Sequence, residues 1–503
     1  MFLELQNLLM GFTMALTPLN VVLIAAGTAL GVFVGAMPGL SSTTGLAIVL
    51  PFTFILDPIP AFLMMISLYM AAEYGGSITA ITIGVPGTPP AVPTTFDGYP
   101  LTKKGLTGKA LGTSIISSTL GGAFGTIILI IAARPISNFA LKFGPAEYFA
   151  LGVFGLSIIG NLVGESVVKG FVSVILGLLF CVVGVDVLTG YPRFTFGMPE
   201  LLDGIHFIPA LIGFFAVSEV FNLIEESGVI QRIEEKVSGK LPTLQELKRL
   251  TTTILRSSGI GAVVGAVPGA GATIASLIAY NEAKRSSKTP EMFGTGVLEG
   301  VSAPEAANNA SVGGAMIPLL TLGIPGSGST AILLGGLMLH GMSPGPLLMS
   351  KHPELVYAIY SGFFIAEFFM LTIGLLGVPV WVRLISLRSS ILTPLVLGIS
   401  LVGSYALGNS LFDMLMALFF GILGYLMRRF GFPLAPAVLA LVLGFIVETN
   451  YRRALTISQG NHMTFLTKPI SLALLLLALA SFVIPVIKTR WAQRKAAVQE
   501  ASS

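Results

Sequence analysis

The sequence predicts an all-α polytopic membrane protein of two related halves, carrying interrupted helices or re-entrant hairpins at Pro-Gly motifs across roughly 10-14 membrane segments. Three observations lead there. Of 503 residues, 54% are hydrophobic and 10% are charged, against about 25% charged in an ordinary soluble domain. Two Pro-Gly motifs of the first half recur in order in the second. GVFVGAMPGLSSTT (31–44) matches GAVVGAVPGAGATI (261–274) at seven of fourteen positions, and GVPGTPP (84–90) answers GIPGSGS (323–329). The repeat distances, Pro38 to Pro268 and Pro86 to Pro325, are 230 and 239 residues, so the two halves are expected to be inverted copies of one plan. Finally, Glu299–Pro346 has no acidic residue, lysine or arginine after Glu305, yet is crowded with Gly, Pro, Ser, Thr and Asn. Broken, polar backbone at membrane depth is tolerated where protein or a watery cavity satisfies it. A Gly-rich helix-packing face is the plainer alternative.

Taken in order, the chain opens with a short amphipathic lead (1–14), then an apolar run from Leu19 to Met37 that ends at Pro38-Gly39. Residues 41–56 read either as a half-helix turning back or as a continuation across. A span from Ile59 to Ile83 carries Glu73 in its middle, where a carboxylate is expensive and is expected to be paired, protonated or ion-binding. The five prolines from Gly84 to Gly105 argue for a connection that is neither helix nor strand. Further spans are expected at 106–133, 148–163, 167–187 and 206–223, with Glu165, Asp186 and Glu219 near their ends. Between Glu225 and Arg256 lie six Lys/Arg and five Glu. Val229, Ile230, Ile233 and Val237 make an amphipathic face there, and Thr243 with Glu246 forms a capping-box pattern that opens a second short helix. The second half follows with 259–280 around Pro268-Gly269, the crowded stretch, then runs at 355–385, 392–407, 411–426, 434–447 and 470–487. Expected domains are thus a first membrane repeat (1–225), an aqueous connector (226–256), a second repeat (257–487) and a tail (488–503).

Basic residues orient the chain. The tail holds four directly after the last span, which favours a cytoplasmic C-terminus, and the connector reads as cytoplasmic too. No Lys or Arg precedes Lys103, which favours a periplasmic N-terminus. No cleavable signal peptide is read. The net charge of +4 suggests no nucleic-acid partner. Cys181, the single cysteine, sits in an apolar run and is read as packing. There is no HExxH, GxSxG, Walker A lysine or CxxC pair, and the four histidines lack metal-ligand spacing. An enzyme therefore has little support, no cofactor is expected, and transport would run on a Na⁺ or H⁺ gradient. A passive channel and a membrane enzyme remain the other function classes.

The ordered set PGL (38–40), YGGS (74–77), GVPGTPP, FDGYPL (96–101), EGVSAPEAANNASVGG and LGIPGSGSTA resembles the large membrane subunit of the tripartite tricarboxylate transporters over essentially the whole chain. The resemblance implies a bacterial inner-membrane secondary transporter that works with a small four-span membrane subunit and a periplasmic solute-binding protein, on citrate-like tricarboxylates or other organic acids. For the organic acid that the resemblance implies, neither Pro-Gly loop offers an Arg, so the anion would be held by half-helix N-termini and hydroxyls. Ser41, Thr43, Gly87, Thr88, Gly326, Ser327, Ser329 and Thr330 are the candidate substrate residues, with both Pro-Gly loops converging on one site. Asn308, Asn309, Ser311 and Glu73 are the candidate ion ligands.

Overall fold

The computed structural model describes residues 2–37, 39–162, 166–186, 189–225, 241–377 and 389–481. Pro38, Glu165, the amphipathic set Val229, Ile230, Ile233 and Val237, and the tail 488–503 lie outside the described residues, as does the end of the 355–385 run. The fold is all-α. In chain order the helices are α1 (Phe2–Ala15), α2 (Pro18–Ala36), α3 (Ser42–Thr53), α4 (Pro58–Thr82), α5 (Val92–Lys103), α6 (Thr107–Ala140), α7 (Pro145–Leu162), α8 (Val167–Cys181), α9 (Phe207–Glu225), α10 (Leu244–Gly265), α11 (Gly271–Ser286), α12 (Leu298–Leu322), α13 (Gly328–Leu339), α14 (Pro353–Leu376), α15 (Ser389–Gly408), α16 (Leu411–Arg429), α17 (Leu434–Ile457) and α18 (Pro469–Ser481). Among the described residues seven helices are long and apolar enough to cross a membrane, so the chain is a multi-pass membrane protein.

Two compact units result, one from 1–141 with 208–425 and one from 142–207 with 426–503. In the first unit, glycines set how the helices approach. Gly27, Gly31 and Gly35 of α2 lie against the backbone carbonyls of Met64, Leu68 and Ala72 of α4, leaving no room for a Cβ. The order is the same on both helices, so α2 and α4 run parallel. The helix between them must then return. Accordingly, Ser42 of α3 meets Glu73 and Gly45 meets Leu68, the reverse order. The α2–α3 pair is therefore a helical hairpin, and residues 42–53 turn back along α4 rather than continuing the direction of α2.

The second half repeats these contacts with the same four-residue spacing on each helix. Gly261 and Gly265 of α10 lie against the carbonyls of Ala307 and Ser311 of α12, positions equivalent to Gly31, Gly35, Leu68 and Ala72. Gly75 lies against Val32 as Gly314 does against Ala262. Between the halves the order is opposite: Ser77 of α4 meets Glu305, while the Glu73 carbonyl meets Asn308. Equivalent helices α4 and α12 thus run antiparallel, side by side.

Several local expectations are corrected. The proline-rich connection is partly helical, with a 3₁₀ turn at Pro89–Ala91 leading into α5. Its prolines sit mostly in first turns, where the missing N–H costs nothing. Pro318 does not break α12, which continues to Leu322 and ends at Gly323 with φ +72°. Proline removes one helical bond; the left-handed residue ends the helix. The capping box at Thr243 and Glu246 is present, but it opens a 22-residue helix that continues into the second repeat, because nothing between Arg256 and Gly265 breaks it.

In the second unit, α7 and α8 pack on α17. Gly177 lies against the Ala437 carbonyl, and Phe149 packs its ring on Tyr451 and Phe465. The end of the 167–187 run is a two-residue strand rather than helix, Gly184–Val185 pairing antiparallel with Pro192–Arg193. Asp186 there is buried and held by Arg452 at 2.5 Å and Arg193 at 3.3 Å, and Glu448 binds both arginines.

Candidate functional site at the junction of two half-helices

Each half-helix starts on a serine just past a glycine. Ser41 caps α3, its Oγ accepting from the Thr44 amide at 3.2 Å. Ser327 caps α13 and accepts from the Thr330 amide at 3.2 Å, while Thr330 Oγ1 accepts from the Ser327 amide at 2.7 Å. The helices run parallel, since Ser42 meets Ser329 while Leu50 lies by Gly336. Their N-termini, one from each half, therefore point the same way at one place. Both dipoles present partial positive charge there.

A chain of hydroxyls joins the two ends. Ser42 Oγ donates to Glu73 Oε1 at 2.7 Å and lies 2.9 Å from Ser329 Oγ, which is 3.0 Å from Thr43 Oγ1. A hydroxyl has one proton to give. With the Ser42 proton spent on Glu73, Ser329 donates to Ser42 and Thr43 donates to Ser329. Tyr69 OH closes the rim at 3.4 Å from Ser327 Oγ. Ser41, Thr43, Ser327, Ser329 and Thr330 are thus brought together.

Gly87 and Thr88 sit elsewhere. The Gly87 amide donates to the Gly76 carbonyl at 3.0 Å, and a Cβ on Gly87 would strike the Gly35 carbonyl and the Gly76 Cα. Thr88 is buried against Gly76, its Oγ1 without a partner. The Gly326 carbonyl instead accepts from the Gly269 amide at 2.9 Å. Among the described residues no hydrogen bond joins the Pro86 loop to the Pro325 loop.

Beside the junction lie the candidate ion ligands. Asn308 Nδ2 donates to the Glu73 carbonyl at 3.0 Å, and Ser311 Oγ donates to the Asn308 carbonyl at 2.6 Å. Among the described residues, Glu73 Oε2, Asn308 Oδ1 and both amide atoms of Asn309 are buried without partners. Each unmade bond of this kind costs about 1–3 kcal/mol, so the cluster carries unspent acceptor capacity.

Three residues of the site are not evident from local pattern. Ser42 lies between Ser41 and Thr43 with no motif of its own, and Tyr69 carries no local signal. Glu305, three residues before Asn308, is the centre of a second cluster. It accepts from Ser77 and Thr94 at 2.5 Å on one oxygen and from Ser118 and Ser114 at 2.9 and 3.0 Å on the other. The i, i+3 spacing to Asn308 was the available clue.

Residues 21–439, which include every residue of the junction, match the tripartite tricarboxylate transporter TctA family. The chain belongs to this family. The family is one of tricarboxylate transporter subunits, which points to a role in transport. Two relatives come from Agrobacterium vitis. An uncharacterized 52.8 kDa protein in the TAR-I ttuC' 3' region is 38% identical over 483 residues, 96% of either chain. An uncharacterized protein in the TAR-II ttuC' 3' region is 36% identical over 227 residues, 45% of this chain and 94% of the relative. No solved structure matches.

Proposed function

We propose that this TctA family member imports citrate-like tricarboxylates or other organic acids across a bacterial inner membrane as a secondary transporter, driven by a Na⁺ or H⁺ gradient. A periplasmic solute-binding protein delivers the acid and a small four-span membrane subunit completes the complex. The C-terminus lies in the cytoplasm. The observation that carries this reading is the convergence of the Ser41-capped α3 and Ser327-capped α13 at one polar junction. Two N-termini with their amides and hydroxyls supply positive potential without a buried arginine. A substrate carboxylate replaces the Ser42–Ser329 and Thr43–Ser329 bonds with bonds to itself. The coupling ion is held by Glu73 with Asn308, whose free oxygens lie beside a shared backbone bond. Because Ser42 bonds both Glu73 and Ser329, loading of the ion and of the anion act on one hydroxyl.

The test is uptake of labelled citrate into membrane vesicles holding the whole transporter and its binding protein, with imposed Na⁺ or H⁺ gradients. Ser329→Ala and Thr43→Val are expected to lower uptake per transporter at least tenfold, the worth of a hydrogen bond to a charged group. Unchanged uptake in both would move the anion site away from the junction. Citrate that equilibrates but never accumulates would mark a passive channel instead.

A further inference from the structure

Away from the junction, Glu367 lies in the middle of α14, buried to 3% exposure, and among the described residues neither of its carboxyl oxygens has a hydrogen-bond partner. It packs on α6 at Gly122, where the carboxyl fills the space a Cβ would need. We propose that Glu367 is a proton-binding site, occupied in this conformation. An ionised carboxylate without a counter-charge or donor pays its full desolvation cost, and such a group takes up a proton instead.

Among the described residues no neighbour supplies the missing charge. On α6 the cations are Lys109 and Arg134, 13 and 12 residues from Gly122 and hence about 18–20 Å along the helix. They are already engaged by Glu246 and Glu4. The short helix Leu348–Lys351 also packs on α14, and its Lys351 is 16 residues before Glu367, about 20 Å or more along the chain axis. α2 carries no titratable group. On α4, which runs parallel to α14, the titratable groups are Tyr69, Glu73 and Tyr74; on α1 there is Glu4, and on α14 itself Glu354, Tyr357 and Tyr360 complete the set of anionic or neutral groups. Glu305 of α12 is reached through Ser118, one turn before Gly122. Apart from the distant Lys351, none of these is a cation. A metal ion is a poor alternative occupant, because hard cations take several oxygen ligands. The wall facing the carboxyl is glycine, the Thr126 hydroxyl is spent on the Gly122 carbonyl at 3.0 Å, and Thr119 alone in the preceding turn has an unused hydroxyl.

A proton bound here has a linkage consequence. At neutral pH the unfolded chain has lost this proton and the folded protein keeps it, so raising the pH favours unfolding by up to tenfold per pH unit. The same holds for any open state that wets the α6–α14 contact. Two measurements on the purified full chain test the assignment. In infrared difference spectra at neutral pH, Glu367→Gln is expected to remove one free-acid carbonyl band, and Glu367→Asp to retain it at a shifted frequency. In melting experiments between about pH 6 and pH 9, the parent is expected to lose stability relative to Glu367→Gln as pH rises. If neither glutamate variant alters the free-acid bands, Glu367 is ionised and the assignment is wrong. Parallel pH profiles of parent and Glu367→Gln would also overturn it. Should Glu367→Gln fail to fold, the Glu367→Asp spectrum decides alone.

Discussion

Glu305 shows how a single residue ties the two halves together. Its carboxylate takes four hydroxyl bonds from α4, α5 and α6 while standing on α12. Glu305→Gln replaces an acceptor oxygen by a donor, leaving two hydroxyls on that side without their acceptor. A loss of about 1–3 kcal/mol per unmet group is expected, read as a lower melting temperature in detergent; an unchanged melting point would show that the hydroxyls rotate to new partners. Gly87 and Gly326 differ at the same scale. Gly87 lacks room because backbone surrounds it, whereas the nearest atom to a Cβ on Gly326 would be the Gly265 carbonyl at 3.3 Å. A bulky residue at Gly87 therefore reports packing, and Ser329 and Thr43 are the cleaner probes of anion binding. In α10, which is not among the helices apolar enough to cross a membrane, Glu246 is pulled down to about 2 by the Lys109 ammonium and by the Thr243 backbone and hydroxyl. Its contribution is full above the ordinary carboxylate range and is lost as pH falls from about 4.3 toward 2. The stability gap between the parent and Glu246→Gln should accordingly close on acidification, and a gap constant with pH would contradict the pairing.

At the scale of elements, close helix approach rests on glycines that repeat with the halves. Gly31→Ala and Gly261→Ala each push a Cβ into a backbone carbonyl, of Leu68 and Ala307 respectively, and backbone cannot swing aside as a side chain can. Each should destabilise by about 1–3 kcal/mol, as overpacking does. Gly259→Ala, two residues away on the same helix, meets nothing within 4 Å. It should be neutral or stabilising by up to about 1 kcal/mol, since Gly is the poorer helix former. Equal melting temperatures for Gly259→Ala and Gly261→Ala would contradict this packing. The apolar run of α2 and the break after it were legible in the sequence. That α3 turns back was not, because a 12-residue apolar segment after a break has the same composition in either direction.

For the whole molecule, the antiparallel order of α4 and α12 bears on topology. The α3–α4 turn at Asp57 and the α11–α12 turn at Ser287 are equivalent positions in the two halves. Inverted halves are expected to place them on opposite membrane faces, and the basic Lys284, Arg285 and Lys288 predict the cytoplasmic side for Ser287. Labelling of Asp57→Cys and Ser287→Cys, in a chain whose Cys181 is replaced by serine, with a membrane-impermeant thiol reagent on intact cells should modify the first only; modification of both from outside would rule the inversion out. The proposed assembly carries a further expectation. Liposomes holding the large subunit alone should show no high-affinity, gradient-driven citrate uptake, and full uptake without partners would refute the tripartite reading for this chain.

Class, family and the half-repeat follow from the amino-acid sequence itself, because they depend on composition and on short ordered motifs whose meaning survives without neighbours. An apolar span reads as a span wherever it lies, and Pro-Gly interrupts a helix through its own covalent geometry. Serine caps likewise declare helix starts, so Ser41, Ser327 and Thr330 could be chosen from local pattern. Pairing required tertiary structure. Local similarity does not say which loop meets which: Gly326 bonds Gly269 and Ser329 bonds Ser42, while Gly87 closes on its own half at Gly76. The reason is physical. Likeness between two loops records their shared origin, whereas contact between them depends on how the antiparallel repeats pack, and that is set by helix direction and glycine clearance across more than two hundred residues of intervening chain.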